Sequence, residues 1–172
     1  MKPFSMAATA GFVLAAALPA AAASFTGFAK VPTIAWITQG APSPGAEAAV
    51  RQTAKVFVSD VLVVTVGTAV RFPNDDNYFH SVYSESPGNT FDLGLYDTGP
   101  GKSITAAAPG VIDVRCHVHG SMHATIVVVD GPFARTAGAD QSFRIDGVTP
   151  GAKTLHVWSG GSDVKTTSIV VK

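Results

Sequence analysis

The sequence predicts an all-β fold: a β-sandwich followed by a small C-terminal β extension. Short Val-rich and alternating runs recur from Lys55 to the C-terminus, and Gly, Pro, Asn and Asp clusters separate them. No segment of that part sustains an apolar repeat of helical period. At 172 residues the chain has room for one ordinary domain, or one domain with an appendage.

The chain opens with "MKPFSMAATAGFVLAAALPAAAAS". Lys2 is followed by an apolar run from Met6 to Leu18, a helix-breaking Pro19 and the small residues Ala21, Ala22 and Ala23. This is the layout of a secretory signal peptide over residues 1–23, cleaved before Ser24. Pro19 and the Ala-rich end argue against a retained membrane anchor, and no cysteine at the cleavage point could carry a lipid. The expected location is periplasmic or secreted, without stable membrane insertion after cleavage.

A main β domain is expected over 24–130. Its first part, "SFTGFAKVPTIAWITQ", suits one or two strands. "GAPSPGAEAAVRQTA" reads as loop, with Ala46–Ala54 the stretch that could form a short helix. "KVFVSDVLVVTV" and "AVRFPN" are strands on either side of a turn at Gly67-Thr68. Short strands and turns alternate through residues 75–110, and "VIDVRCHV" and "ATIVVVD" are two further strands. Residues 131–172 form the extension. Its strands carry Phe143/Ile145, Leu155/Val157 and Ile169/Val171, and its turns are "AGAD", "DGVTPGA" and "SGGSD". It is too small to build much core alone, so it is expected to dock on the sandwich or to borrow strands from residues 24–50.

Between the last two strands of the main domain lies "RCHVHGSMH", residues 115–123. It holds the single cysteine, three of the five histidines and one of the three methionines. An unpaired cysteine in an exported chain is a partner for another molecule, an inert buried thiol, or a thiolate with a task. Spacing chooses among these. Ile112, Val114 and Cys116 share strand parity, so if the first two face the core, so does the sulfur of Cys116. A turn through Gly120, which tolerates unusual backbone angles, would return His119 and Met122 toward the same point. His80, just after the strand that ends at Pro73-Asn74, supplies a second imidazole. One thiolate, two imidazoles and a thioether are the ligand set of a type 1, or blue, copper electron-transfer site. Soft sulfur ligands favour Cu(I) and imidazole accepts both oxidation states. A rigid sandwich would hold an intermediate geometry that changes little when the electron moves.

The stretches "VGTAVRFPNDDNYFHSV" and "VIDVRCHVHGSM" resemble the cupredoxins, the blue copper proteins of plastocyanin and amicyanin type. The wider pattern is similar to exported bacterial methylamine utilization proteins, and "ADQSFRIDGVTPGAKTLHVW" resembles a carboxypeptidase-regulatory or transthyretin-like stretch. The resemblance covers roughly residues 50–160. It implies a Greek-key sandwich and one copper ion bound by His80, Cys116, His119 and Met122. It also implies a non-enzymatic one-electron carrier that meets a transient redox protein partner at an apolar patch around His119, Gly120 and Ser121. One departure stands out. Cupredoxins often place Asn after the first histidine ligand to tie the two ligand loops together, and here Ser81, with a shorter reach, takes that place.

Other readings remain beside it. His117, on the opposite parity from Cys116, and His123, at the start of the next strand, would serve a copper-delivery module without redox cycling. A sandwich that binds carbohydrate or protein needs no metal at all. A Cys–His nucleophile would need an orienting group and an oxyanion site that the sequence does not point to. Zinc could use Cys116 and two histidines, but a Met at axial spacing favours copper. "DTG" at 97–99 occurs once, whereas the aspartic protease site needs two carboxylates. "GPGKS" at 99–103 lacks the first glycine of a phosphate loop, Tyr96 standing there. Asp75 and Asp76 read as a solvated turn that could also shape the field near His80. His156 reads as a surface or domain-contact histidine. The 12 Lys+Arg balance the 12 Asp+Glu, so nothing suggests nucleic acid.

Overall fold

The computed structural model describes residues 22–28, 33–59, 61–135 and 142–172. Every regular element among them is a strand. The expected signal segment, up to residue 21, and the "AGAD" turn lie outside the described residues.

Two sheets make the sandwich. One contains β3 (Ala48–Ala49), β4 (Arg51–Thr53), β5 (Val56–Val58), β7 (Ala69–Asn74) and β10 (Gly99–Thr105), in the order β10-β7-β4-β5 with β3 also on β7. The other contains β6 (Val61–Thr65), β8 (His80–Ser84), β9 (Phe91–Tyr96), β11 (Gly110–Arg115) and β12 (His123–Val129), in the order β6-β12-β11-β8-β9. Their facing sides share one core that includes Val50, Val70 and Phe72 from the first sheet and Val82, Ile112, Val114 and Ile126 from the second. The stretch 46–54 is extended, not helical: β3 and β4 run parallel to β7 and take their backbone bonds from it. Tertiary pairing outweighs the helix preference of its alanines.

The remaining strands form two further layers. β2 (Ile34–Ile37) lies between β13 (Phe133–Arg135) and β15 (Gly151–Trp158), and β16 (Lys165–Val171) completes that sheet. β1 (Ala23–Phe28) pairs with β14 (Ser142–Val148) as a separate ribbon. Alternation along β2 explains the stacking, because successive side chains point to opposite faces. Ile34 and Trp36 join Trp158, Val127 and Val129 against the outer face of the second sandwich sheet. Ala35 and Ile37 face the other way, onto Phe143, Ile145, Val148 and Leu155. All four residues of β2 are therefore buried. The N-terminal strands thus complete the sheets of the extension, and one sandwich sheet is covered on both faces. That double cover is why "IVVV" in β12 runs apolar without alternation. His156 stacks on Trp36 at 4.9 Å within this junction, a contact histidine.

One turn and one bulge have constrained backbones. β4 and β5 are joined by Ala54 and Lys55, with φ of 55° and 61°. A two-residue hairpin of this hand suits the strand twist but strains residues with a Cβ. β10 is bulged between Gly99 and Lys102. At Gly101, φ is +70° and a Cβ would lie 1.8 Å from the Phe72 carbonyl oxygen, so only glycine fits against β7 there.

Candidate metal centre

β8 and the turn after β11 deliver the site from segments far apart in the chain. His80 opens β8 and is fully buried. Cys116 follows β11 directly and is 4% exposed, sharing the inward face with Ile112 and Val114 as strand parity requires. His119 is half-buried. The ligand atoms of His80, Cys116 and His119 all lie within 4.8 Å of one another, each close enough to share one ion. The two rings meet edge to face, their Nδ1 atoms 3.2 Å apart. Met122 is 1% exposed and lies in the same core cluster as Cys116. A reverse turn closed by Met122 N–H donating to His119 C=O at 2.9 Å returns it to that core. The chain turns at Gly120 as expected, but without the unusual backbone angles that a glycine tolerates. Gly120 is not among the positive-φ residues, and nothing lies within 4 Å of a Cβ placed there. The hydrogen bond makes the turn, so Gly120 need not supply special angles.

His80 is oriented from behind. Its Nε2–H donates to Asp76 Oδ2 at 2.9 Å, which leaves Nδ1 as the lone-pair nitrogen on the side of Cys116 and His119. Asp76 is therefore no solvated turn residue: it is 9% exposed. Its carboxylate also accepts the backbone N–H of Ala54 at 2.6 Å and of Lys55 at 2.8 Å. The strained hairpin points two donors at one buried anion. The Lys55 amide foremost, then His80 and the Ala54 amide, hold the Asp76 carboxyl below its usual range, against burial. The sequence carried a partial signal for this, an Asp four residues before a candidate ligand. It carried none for the hairpin, which lies about 20 residues upstream.

A second brace runs through β9. Tyr96 is opposite His80 in the β8–β9 register. It donates from its hydroxyl to Phe72 C=O at 3.0 Å, and Gln52 Nε2–H donates to the Tyr96 oxygen at 2.6 Å. Burial pushes the Tyr96 hydroxyl up to about 12, so it stays a neutral donor.

The two remaining histidines of the ligand-rich stretch stay out of the cluster. His117 is exposed, stacks flat on Tyr83 at 3.8 Å and faces Asp92 Oδ2 at 3.2 Å. His123 opens β12 on the surface, 3.6 Å from Asp113 Oδ1. Thus three of the four expected ligands converge, and the fourth is buried in the same core.

One soft cysteine sulfur and two imidazole nitrogens, inside a braced sandwich, match the donor preferences of copper. His80, Cys116 and His119 form a candidate type 1 copper site. No family model and no curated relative matches the chain. Solved structures similar to it include the reduced Cu(I) form, at pH 4, of a single-residue mutant of amicyanin, 22% identical with a TM-score of 0.45. The match covers 55% of this chain and 98% of that one. A purple cupredoxin from Nitrosopumilus maritimus is 22% identical with a TM-score of 0.42, over 49% of this chain and all of that one. A copper-containing nitrite reductase from Thermus scotoductus SA-01 is 26% identical with a TM-score of 0.45, over 48% of this chain and 22% of the reductase.

Proposed function

We propose that this chain is an exported type 1 copper protein that carries single electrons, with His80, Cys116, His119 and Met122 as its copper ligands. The convergence of one buried thiol and two imidazoles to within 4.8 Å carries the reading. When bound, copper supplies a one-electron Cu(II)/Cu(I) couple. The chain's own residues do the rest. Cys116 would hold the ion through its sulfur, His80 and His119 through ring nitrogens, and Met122 through its thioether. Asp76 holds the His80 ring, and the sandwich core keeps the ligands from rearranging between the two states.

The route for the electron runs through the His119 end. His119 is the least buried of the four, and Val118, Tyr78 and Phe79, its neighbours and those of His80 in sequence, are exposed apolar side chains. Such a rim suits a transient protein partner with weak electrostatic steering, consistent with the balanced charge. The leader over residues 1–23 supports a periplasmic or secreted location. Docking to a partner is the role proposed for the extension. Metal delivery through His117 and His123 is less favoured, because the first is stacked on Tyr83 and both face carboxylates of their own.

The test is direct. Cu(II) added to the purified chain should give an intense visible thiolate-to-copper absorption with a stoichiometry of about one per chain. Cys116→Ala should abolish it. Met122→Leu should keep the colour and raise the reduction potential. A well-folded wild-type chain that takes up copper without that absorption would sink the reading.

A further inference from the structure

We propose that the cavity between the outer face of the second sandwich sheet and the loop after β15 binds one residue of a neutral polysaccharide, with Asp113 and Arg115 reading adjacent hydroxyl groups. Copper has no part in this site, which lies on the opposite side of the sheet from Cys116.

The outer face of β11 and β12 changes character along its length. Val111 and Val127 are opposite one another and belong to the apolar layer that β2 covers. The next pairs on that face are Asp113 with Thr125, then Arg115 with His123. Trp158 and Val164 pack in the same apolar layer and carry the loop 159–163 between them. Trp158 Nε1–H also donates to Gly161 C=O at 2.8 Å. Gly160 and Gly161 have φ of 109° and 71°, and nothing lies within 4 Å of a Cβ at either. The loop is thus held beside the polar end of the sheet without filling the space. A cavity of about 470 Å³ remains, lined by Asp113, Arg115, His123 and Thr125 from the sheet and by Gly160 and Ser162 from the loop. An adjoining hollow of about 420 Å³ shares Asp113, Arg115 and Ser162 with it and extends it past Tyr83 and Glu85. Spaces of this size take small organic groups.

One atom in the cavity lacks a partner. Asp113 Oδ1 is shielded from solvent and accepts no hydrogen bond from the described residues. The other carboxylate oxygen takes Nε–H and Nη2–H of Arg115, at 2.9 and 2.8 Å. His123 Nε2 stands 3.6 Å from Oδ1, beyond hydrogen-bond range. A shielded acceptor without a donor is costly, so it marks a place where a ligand or water supplies one. The charges decide which ligand. A carboxylate or phosphate there would meet the Asp113 anion, and an ammonium would meet the Arg115 guanidinium. A pair of hydroxyls suits both. One O–H donates to Asp113 Oδ1, and the neighbouring oxygen accepts from the N–H groups of Arg115 that Asp113 leaves free. Adjacent hydroxyls at fixed spacing belong to a sugar ring. The extension past Tyr83 and Glu85 leaves room for the next sugar, which makes the ligand part of a polymer.

The experiment titrates the full chain, isotopically labelled and without added metal, and follows its amide signals by NMR. The probes are cellohexaose, maltohexaose and hexa-N-acetylchitohexaose, with hexagalacturonate as the anionic comparator and the chitosan hexamer as the cationic one. At least one neutral hexasaccharide should shift the amides of Asp113, Thr125, Gly160 and Gly161, and neither charged comparator should. Asp113→Ala removes the unpaired acceptor and should weaken that binding about tenfold or more. Ser162→Trp, an exposed loop position, should block the cavity without touching the sheet. If no neutral hexasaccharide shifts these amides, the proposal is overturned and water alone satisfies Asp113. A charged comparator that binds more tightly than the neutral sugars overturns the reading of the charges. Either variant binding as tightly as wild type overturns the site.

Discussion

The carboxylate of Asp76 accepts three N–H groups at once, from His80 and from the two residues of the β4–β5 turn. Buried anions persist only when satisfied in this way. Its removal should therefore be felt twice. Asp76→Asn should weaken copper binding by about 10–100-fold, the usual cost of losing a partner behind a histidine ligand, read by competition with a chelator. The second effect is on acid stability. The folded carboxyl titrates below its unfolded value, so the folded chain binds that proton more weakly than the unfolded one. The stabilisation is full above about pH 4 and is lost as pH falls through the folded value. Thermal melts of the metal-free chain from about pH 6 to about pH 2 should show this loss in wild type. Asp76→Asn should start less stable near neutrality and decline less steeply in acid. Equal slopes would contradict the assignment.

Among the elements, β10 depends on one glycine. Its bulge brings the backbone of Gly101 against the Phe72 carbonyl of β7, and a methyl there has neither space nor favourable φ. Gly101→Ala should cost at least about 2 kcal/mol, measured by urea unfolding, since strain and a backbone clash add. Gly120→Ala, in the ligand turn, should cost far less, because that position is open and its φ is not positive. The contrast separates a glycine the fold needs from one that composition alone makes conspicuous. The strand β2 makes the complementary point. Four residues bury both faces, so Ile34 and Trp36 serve the sandwich while Ala35 and Ile37 serve the extension.

For the whole molecule, the stacking of layers joins both ends of the chain. Strands from residues 23–37 are paired with strands from residues 133–158. A chain ended after Asp130 would leave β2 without its partners β13 and β15 and would uncover Val127, Val129 and Trp36. We expect that chain to bind a hydrophobic dye such as ANS strongly and to self-associate in sedimentation, whereas the full chain stays monodisperse. A truncated chain that stays dye-free and monomeric would show that the sandwich does not need the extension.

Strand parity, turn chemistry and ligand spacing are local, and they were enough to predict an all-β chain, the inward sulfur of Cys116, the outward His117 and the meeting of His80, Cys116 and His119. These follow because the two-residue period of a strand orients side chains before any partner strand is chosen. What the tertiary structure alone decided was which distant groups meet them. The Asp76–hairpin contact spans 21 to 22 residues, the hydrogen bond from the His117 N–H to Ser81 Oγ spans 36, and the pairing of β2 with β15 links Trp36 to His156. Each of these joins polar or apolar groups that are ordinary where they stand in the sequence. They acquire a role only when sheet order and register place them opposite one another, and that placement is settled by how the layers bury their faces together.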